Sequence, residues 1–338
     1  MKFNVTIAVI AALLFSTSHK ASGKEETDKC GRLVVDKIER PNTRWEPSED
    51  GRQIPIWPDD APIQLPEMYG HTEEMVGTGS PLIADKTWGF ATFVTQPTIT
   101  IYKPKGESNG AAMLVLPGGG YAAVAMDLEG TEVCAWITQH GVTCAVLKYR
   151  TPYLWQRAAN GVQVPPDGPE LPLQDAQRAM KLLRHDATTF GIDADRIGVI
   201  GFSSGAHLAA QVSNRTKVSY EPVDEIDKET SLPNYSIVMY PGRFLPVERD
   251  EDDIALAPWM EIAASAPPTL IVHAMDDPTN DPRHAIAYAL ALSEVGVPVD
   301  IRMFAKGCHA FGLRAAADPV TRQWPEQAVQ WLRDIGVM

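Results

Sequence analysis

The spacing of apolar and polar residues changes near residue 98 of this chain. Residues 24–95 are polar and rich in proline, which disfavours helices and predicts an extended arm. From Thr98 onward, apolar runs of strand length alternate with segments whose apolar residues recur at helical spacing. The pattern predicts an N-terminal arm over 24–95, packed on an α/β domain over 96–338.

Within the larger domain, the predicted strands are short apolar or alternating runs at 98–102, 112–116, 142–147, 196–201, 236–240, 269–275 and 299–304. The predicted helices lie at 129–140, 173–190, 205–212, 282–295 and 325–335. Apolar runs are typical of strands that are buried on both faces, and alternation with helices is typical of parallel sheets. We therefore expect a mainly parallel sheet with helices on both sides.

The first 23 residues have the pattern of a secretory signal peptide. Lys2 provides a positive start, residues 5–15 form a mostly apolar run, and residues 21–23 offer a small-x-small cleavage site. The run is shorter than the roughly 20 apolar residues that span a membrane. We expect a secreted or periplasmic protein cleaved near Gly23, with an uncleaved N-terminal anchor as the alternative.

Charge and cysteine content narrow the function classes. The formal net charge of −13 falls to about −15 without residues 1–23, which carry two lysines and no acidic residue. Such a chain is a poor candidate for binding nucleic acid or an anionic membrane surface. No CxxC motif or Cys/His cluster indicates a metal, and we expect no cofactor. Two disulfides in any of three pairings are open to the four cysteines, Cys30, Cys134, Cys144 and Cys308.

The segment Gly-Phe-Ser-Ser-Gly at 201–205 matches the pattern G-x-S-x-G between a predicted strand and a predicted helix. In this context the central serine sits on a sharp, strained turn that lifts its hydroxyl above the edge of the sheet. Ser203 is therefore the candidate nucleophile, and an exposed turn serine is the alternative.

A serine nucleophile needs a base and an acid, which folds of this kind supply after later strands in the order Ser, Asp, His. Asp276 and Asp277 follow directly after the predicted strand 269–275, and His309 comes after strand 299–304. We predict His309 as the base and Asp277 as the acid that orients it. Asp276 stays open as the alternative acid.

Three glycines, at 118–120, follow strand 112–116, where backbone amides of such folds bind the oxyanion of an acyl-transfer intermediate. We assign this role to the amides of Gly119, Gly120 and Ser204. Tyr121, the next residue in this glycine loop (residues 117–121), is a candidate substrate-binding residue, with a place in the core as the alternative.

With these motifs located, the chain from about residue 50 onward resembles the secreted carbohydrate-esterase-like branch of the α/β-hydrolases, which includes acetylxylan esterases. The resemblance rests on Pro-Gly-Gly-Gly-Tyr at 117–121, Leu-Lys-Tyr-Arg at 147–150, the segment 201–205, the pair at 276–277, and Gly-Cys-His-Ala-Phe-Gly-Leu at 307–313. It implies an eight-stranded, mostly parallel sheet, no metal, and hydrolysis of short acyl groups from sugars. Ser203, Asp277 and His309 fall on the family's nucleophile, acid and base.

The expected function is therefore removal of short acyl groups, acetyl above all, from carbohydrate such as acetylated xylan. A general short-chain carboxylesterase and a feruloyl-type esterase are the nearest alternatives. A peptidase of the prolyl-oligopeptidase type shares the triad order, but residues 24–95 are too short for its propeller. A catalytically dead hydrolase fold used for binding is a further alternative, and it would have no need to keep all three triad residues. A polysaccharide lyase or glycosidase would need paired acidic residues in a cleft, which the acidic loop at 250–253 does not offer in recognisable form.

Overall fold

One large sheet organises the molecule. The computed structural model describes residues 26–34, 44–48, 51–66, 70–152, 165, 167–250, 253–314 and 318–338. The predicted signal segment, residues 1–23, lies outside these residues. In the described chain, none of the helices is long and apolar enough to span a membrane.

The strands of the described chain are numbered in chain order. They are β1 (Glu26–Thr27), β2 (Leu33–Val34), β3 (Arg52–Pro55), β4 (Glu74–Ile83), β5 (Lys86–Thr92), β6 (Thr98–Tyr102), β7 (Ala112–Leu116), β8 (Ala123–Val124), β9 (Thr143–Lys148), β10 (Ile197–Phe202), β11 (Ser236–Met239), β12 (Thr269–Ala274) and β13 (Val299–Phe304). Eight of them form one sheet in the order β13-β12-β11-β10-β7-β9-β6-β3. Only β6 runs against its neighbours, so the predicted eight-stranded, mostly parallel sheet is confirmed.

The helices are α1 (Glu132–Ile137), α2 (Glu170–His185), α3 (Ala187–Phe190), α4 (Ser204–Asn214), α5 (Arg283–Glu294) and α6 (Trp324–Asp334). The predicted helix 129–140 is three short pieces, because a π-turn at Asp127–Thr131 precedes α1 and a 3-10 turn at Thr138–His140 follows it. The segment is helical, as expected, but it is not one continuous α-helix.

Both faces of the sheet are covered. Along β12, Leu270 and Val272 belong to one core cluster and Ile271 to another, as expected of a strand whose side chains alternate between two faces. The first cluster includes Leu332 of α6, and the second includes Tyr288 of α5. The fully buried runs of β7, β9, β10, β11 and β12 are explained by this two-sided cover.

The described part of the N-terminal arm is built into the domain. Strand β3 pairs with β6 as the edge strand of the large sheet, and Ile56 and Trp57 behind it are buried in the main core. Strands β4 and β5 form a hairpin that pairs with β8. The predicted boundary near residue 95 therefore separates two segments of different composition, and the described parts of these segments pack on one another.

The described chain has two disulfides, one between neighbouring elements and one between distant parts of the chain. Cys134 in α1 is bonded to Cys144 in β9, and Cys30 near the N-terminus is bonded to Cys308, the residue before His309. The sequence left three pairings open, and the structure selects this one.

Candidate active site

Ser203 lies on the turn between β10 and α4. Its backbone has φ 52° and ψ −115°, a strained conformation for a residue with a side chain. The neighbouring glycines are required by close approach. A Cβ on Gly201 would lie 2.0 Å from the carbonyl oxygen of Gly205, and a Cβ on Gly205 would lie 2.0 Å from that of Leu116. Crowding on both sides thus holds the turn in the shape that presents the Ser203 hydroxyl.

The three predicted triad residues form one hydrogen-bonded chain. His309 Nε2 lies 2.9 Å from Ser203 Oγ, and His309 Nδ1 lies 2.7 Å from Asp277 Oδ2. A carboxylate only accepts, so Nδ1 carries the hydrogen and Nε2 is left to accept the proton of Ser203. The order of the strands brings these three residues together, because β10, β12 and β13 all end at the same edge of the sheet.

Asp277 is held ionised and fixed in orientation. Its buried Oδ1 accepts the backbone amides of Thr279 at 2.8 Å and Asn280 at 2.9 Å. Burial acts to raise the pKa of Asp277, but the charge of His309 and hydrogen bonds from His273, His309 and the Asn280 amide outweigh it and hold that pKa well below its usual range. The carboxylate is therefore available at neutral pH to orient and stabilise a charged imidazole.

Asp276, the alternative acid, instead contacts the backbone of the loop that follows β13 and carries His309 (residues 305–310, the histidine loop). Its exposed carboxylate accepts the amides of Gly307 at 2.9 Å and Cys308 at 2.8 Å through one oxygen. The geometry thus gives the two carboxylates different partners: Asp277 contacts the imidazole, and Asp276 shapes the loop that carries it.

A second histidine contacts the same acid. Buried His273 approaches Asp277 Oδ2 and the carbonyl oxygen of Asn280 through Nε2, each at 3.2 Å. Both partners are acceptors, so Nε2 carries the hydrogen and donates it. Sequence reasoning gave His273 no role, although it lies on the strand that leads to the aspartate pair.

The glycine loop lies directly above the nucleophile. A Cβ on Gly118 would lie 3.0 Å from Ser203 Cβ, and one on Gly119, whose φ is 133°, would lie 2.2 Å from the carbonyl oxygen of Ala123. Among the described residues, the amides of Gly119 and Ser204 have no hydrogen-bond acceptor, as an oxyanion site requires. The amide of Gly120 differs from the expectation, because it donates to Ser204 Oγ at 3.0 Å and is already used.

A buried carboxylate supports this loop from below, and the sequence did not single it out. Glu129, 1% exposed, accepts the Gly118 amide at 2.7 Å and the hydroxyl of Tyr240 at 2.9 Å. Burial raises the pKa of Glu129, although the Tyr240 hydrogen bond and the charge of His309 act against the rise. The ring of Tyr240 also packs edge-on against His309, with centroids 5.1 Å apart. Glu129 and Tyr240 therefore connect the glycine loop to the imidazole.

The histidine loop is also tied to the N-terminal arm. Arg32 donates to the carbonyl oxygen of His309 at 2.7 Å, and the Cys30–Cys308 disulfide lies beside this contact.

Tyr121, the predicted substrate-binding residue, is 1% exposed, and its hydroxyl lies 2.7 Å from Nδ1 of His207. A nucleophile, a base held by an acid, and free amides above the nucleophile are together the parts of an acyl-transfer site.

Two family models match the chain. The model described as BD-FAE matches residues 99–236, and that of the prolyl oligopeptidase family matches residues 171–335. Among curated proteins, the chain is 25% identical over 251 residues to an acetylxylan esterase of Xylanibacter ruminicola, covering 68% of this chain and 45% of that protein. It is 26% identical over 238 residues to an ethyl acetate hydrolase of Pseudomonas putida, covering 63% of this chain and 70% of that one. The chain thus spans less than half the length of the first of these relatives.

Among solved structures, the fold resembles that of an acetyl ester-xyloside bifunctional hydrolase from Caldicellulosiruptor lactoaceticus. The TM-score is 0.64 at 24% identity, with 85% of this chain and 97% of that chain covered. At this level of identity the likeness describes the fold alone. The chain therefore has the α/β-hydrolase fold, and its sequence is similar to that of an acetylxylan esterase.

Proposed function

We propose that this protein is a serine carboxylic ester hydrolase that removes short acyl groups, acetyl above all, from carbohydrate such as acetylated xylan. The observation that carries the proposal is the hydrogen-bonded chain from Ser203 through His309 to Asp277, placed under a glycine loop with free amides. The substrate class is supported by the names of the relatives, which include an acetylxylan esterase and an ethyl acetate hydrolase.

In this mechanism Ser203 attacks the ester carbonyl carbon while His309 Nε2 takes the hydroxyl proton. The negative charge that develops on the carbonyl oxygen is bound by the amides of Gly119 and Ser204, and each such donor typically lowers the barrier by about 3 kcal/mol. His309 then returns the proton to the leaving alcohol. An acyl group remains on Ser203.

Deacylation repeats these steps with water in place of the serine. His309 accepts a proton from a water molecule, the hydroxide adds to the acyl carbon, and the proton is returned to Ser203 as the acid leaves. Asp277 keeps the imidazole in the required tautomer and stabilises its charged form in both halves of the reaction. Glu129 contributes by accepting the Gly118 amide, which fixes the shape of the glycine loop. The next amide in that loop, that of Gly119, then faces the oxyanion.

Two assays test the activity. Purified protein should hydrolyse p-nitrophenyl acetate, and a fluorophosphonate probe should label it at Ser203, with Ser203→Ala as the unlabelled control. If neither occurs, the proposed activity is wrong. Acetate release from acetylated xylan, measured beside simple alkyl esters, feruloyl esters and a peptide p-nitroanilide, then ranks the substrate classes. Preference for the feruloyl ester or for the peptide substrate would replace the proposed substrate.

We also propose that the chain is exported and loses residues 1–23. The two disulfides support this proposal, since such bonds persist in oxidising compartments such as the periplasm. N-terminal sequencing of the protein recovered from the periplasm should start near Lys24. An intact Met1 on the active protein would contradict it.

A further inference from the structure

A small cavity of about 220 Å³ lies beside the nucleophile turn. His207 in its wall is one helical turn from Ser203, whose carbonyl oxygen accepts the His207 amide at 3.2 Å. The lining combines the end of the glycine loop, residues 167–169 before α2, and residues of α2 and α4. Its polar members are Tyr121, Asp167, Glu170, His207, Gln211, Arg215 and Ser219.

A chain of hydrogen bonds in this wall has a fixed direction. Arg215 Nε lies 2.6 Å from Gln211 Oε1, and a guanidinium can only donate. The amide nitrogen of Gln211 must therefore face Nε2 of His207, which lies 3.4 Å away. An amide nitrogen also only donates, so Nε2 of His207 is an acceptor and carries no hydrogen.

The direction continues to Tyr121. Burial and the charges of Arg243 and Arg215 lower the pKa of His207 to about 3, so the ring is neutral. A neutral imidazole without a hydrogen on Nε2 has it on Nδ1, which donates to the Tyr121 hydroxyl oxygen 2.7 Å away. Burial holds the pKa of Tyr121 well above its ordinary value, so that hydroxyl keeps its own hydrogen. No described residue accepts it.

We propose that this cavity is a subsite for one sugar unit of the substrate, with the Tyr121 hydroxyl as the donor to a sugar oxygen. The inference rests on the proposed function and specifies where the enzyme binds the alcohol part of its ester substrate. Carboxylates of Asp167 and Glu170 and the guanidinium of Arg215 offer acceptors and a donor, which matches hydroxyl groups that donate and accept. A short acyl chain would instead require an apolar lining. The volume lies below the range of roughly 300–1,000 Å³ typical of pockets for larger ligands, which fits one ring.

The first test compares two substrates in Tyr121→Phe, which removes only the hydroxyl. We expect kcat/KM for acetylated xylobiose to fall about five-fold, mainly through KM, because one neutral hydrogen bond is lost. Hydrolysis of p-nitrophenyl acetate, which has no sugar, should fall by a smaller factor than hydrolysis of acetylated xylobiose. Equal losses on both substrates, or none on either, would overturn the subsite.

The second test changes the direction of the hydrogen-bond chain without touching Tyr121. In Gln211→Met the Nε2 of His207 no longer faces a donor, so the ring can carry its hydrogen there and accept the Tyr121 hydrogen at Nδ1. This variant should reproduce part of the Tyr121→Phe defect on acetylated xylobiose. Combined with Tyr121→Phe it should add nothing. Additive losses, accompanied by equal losses on p-nitrophenyl acetate, would indicate a structural role only.

A binding measurement keeps this inference separate from the activity itself. Ser203→Ala protein should bind xylobiose in a calorimetric titration. Adding Tyr121→Phe should raise the dissociation constant about five-fold. Absence of binding, or binding that ignores Tyr121→Phe, would refute the subsite even if the esterase assays succeed. Failure of the esterase assays with intact, Tyr121-dependent binding would refute the proposed reaction and leave the subsite standing.

Discussion

Replacing Asp277 with asparagine has an outcome that the surrounding hydrogen bonds determine. The amides of Thr279 and Asn280 both donate to Asp277 Oδ1 and can do nothing else, whereas the imidazoles of His309 and His273 at Oδ2 can shift their hydrogen to the other ring nitrogen. The oxygen of an asparagine is therefore favoured at the Oδ1 position. The new NH₂ group must then face His309 Nδ1. Since the NH₂ group can only donate, His309 moves its hydrogen to Nε2 and can no longer accept the proton of Ser203.

The loss expected from this wrong tautomer is large. In a serine triad of known behaviour the same change lowers kcat by about 10⁴, which is about 5 kcal/mol in barrier height. Asp276→Asn is the matched control, because its oxygen still accepts the amides of Gly307 and Cys308. We expect that control to lose less than about ten-fold, since only a charged hydrogen bond is exchanged for a neutral one.

The assay is the initial rate of p-nitrophenyl acetate hydrolysis at saturation for wild type, Asp277→Asn and Asp276→Asn, beside circular dichroism spectra of all three. A folded Asp277→Asn that keeps more than a tenth of wild-type kcat would refute the assignment of the acid. A greater loss in Asp276→Asn than in Asp277→Asn would transfer the role to Asp276.

The same pair of proteins reports on stability against pH. Because the pKa of Asp277 is depressed in the folded state, its carboxylate stabilises the protein above the unfolded-state pKa of about 3.9. That contribution is lost as the pH falls towards the lower folded-state pKa. The difference in free energy of unfolding between wild type and Asp277→Asn should therefore shrink in urea melts taken from pH 7 down to below 4. A difference that grows in acid would contradict the sign of the shift.

Two further predictions concern the supports of the site. Glu129→Gln should lower kcat about five-fold with KM unchanged, because the Gly118 amide keeps an acceptor but loses a charged one. The free energy of unfolding of this variant at pH 8 should not fall, because burial raises the pKa of Glu129 and so disfavours its charged form in the folded protein. A loss of stability in chemical melts that accompanies the loss of kcat would contradict this. Removing Cys30 and Cys308 together as serines should cost about 2–5 kcal/mol of stability and also lower kcat/KM several-fold, whereas the Cys134/Cys144 pair of serines should lower stability alone. Equal activity in the two double variants would show that the disulfide beside His309 has no part in placing it.

The residues that sequence could identify are those fixed by local pattern. The glycines of 201–205 mark a turn that no other residue fits, and the apolar runs mark strands whose ends deliver Ser203 and His309 to one edge. Adjacent aspartates cannot be separated in this way. Which of Asp276 and Asp277 meets the imidazole depends on the course of the turn after β12, which the hydrophobic pattern does not encode.

The residues that sequence missed are brought in by packing between distant elements. Glu129 lies in a π-turn and Tyr240 follows β11, more than 100 positions later, yet they share a hydrogen bond under the glycine loop. The edge strand β3 was hidden for a similar reason, since its four residues lie in a proline-rich segment and pair with residues of β6 that lie 43 to 49 positions later in the chain. Contacts of this kind are non-local, and neither periodicity nor composition reports them.

The bond between Cys30 and Cys308 makes most of the chain a closed covalent ring, with a sequence separation of 278. Ser203 and Asp277 lie within this ring, and His309 is the first residue beyond it. A protease that cuts the backbone once anywhere in the ring therefore produces two segments that remain a single molecule, with all three triad residues on it. The nicked protein would run as one species on a non-reducing gel and as two after reduction.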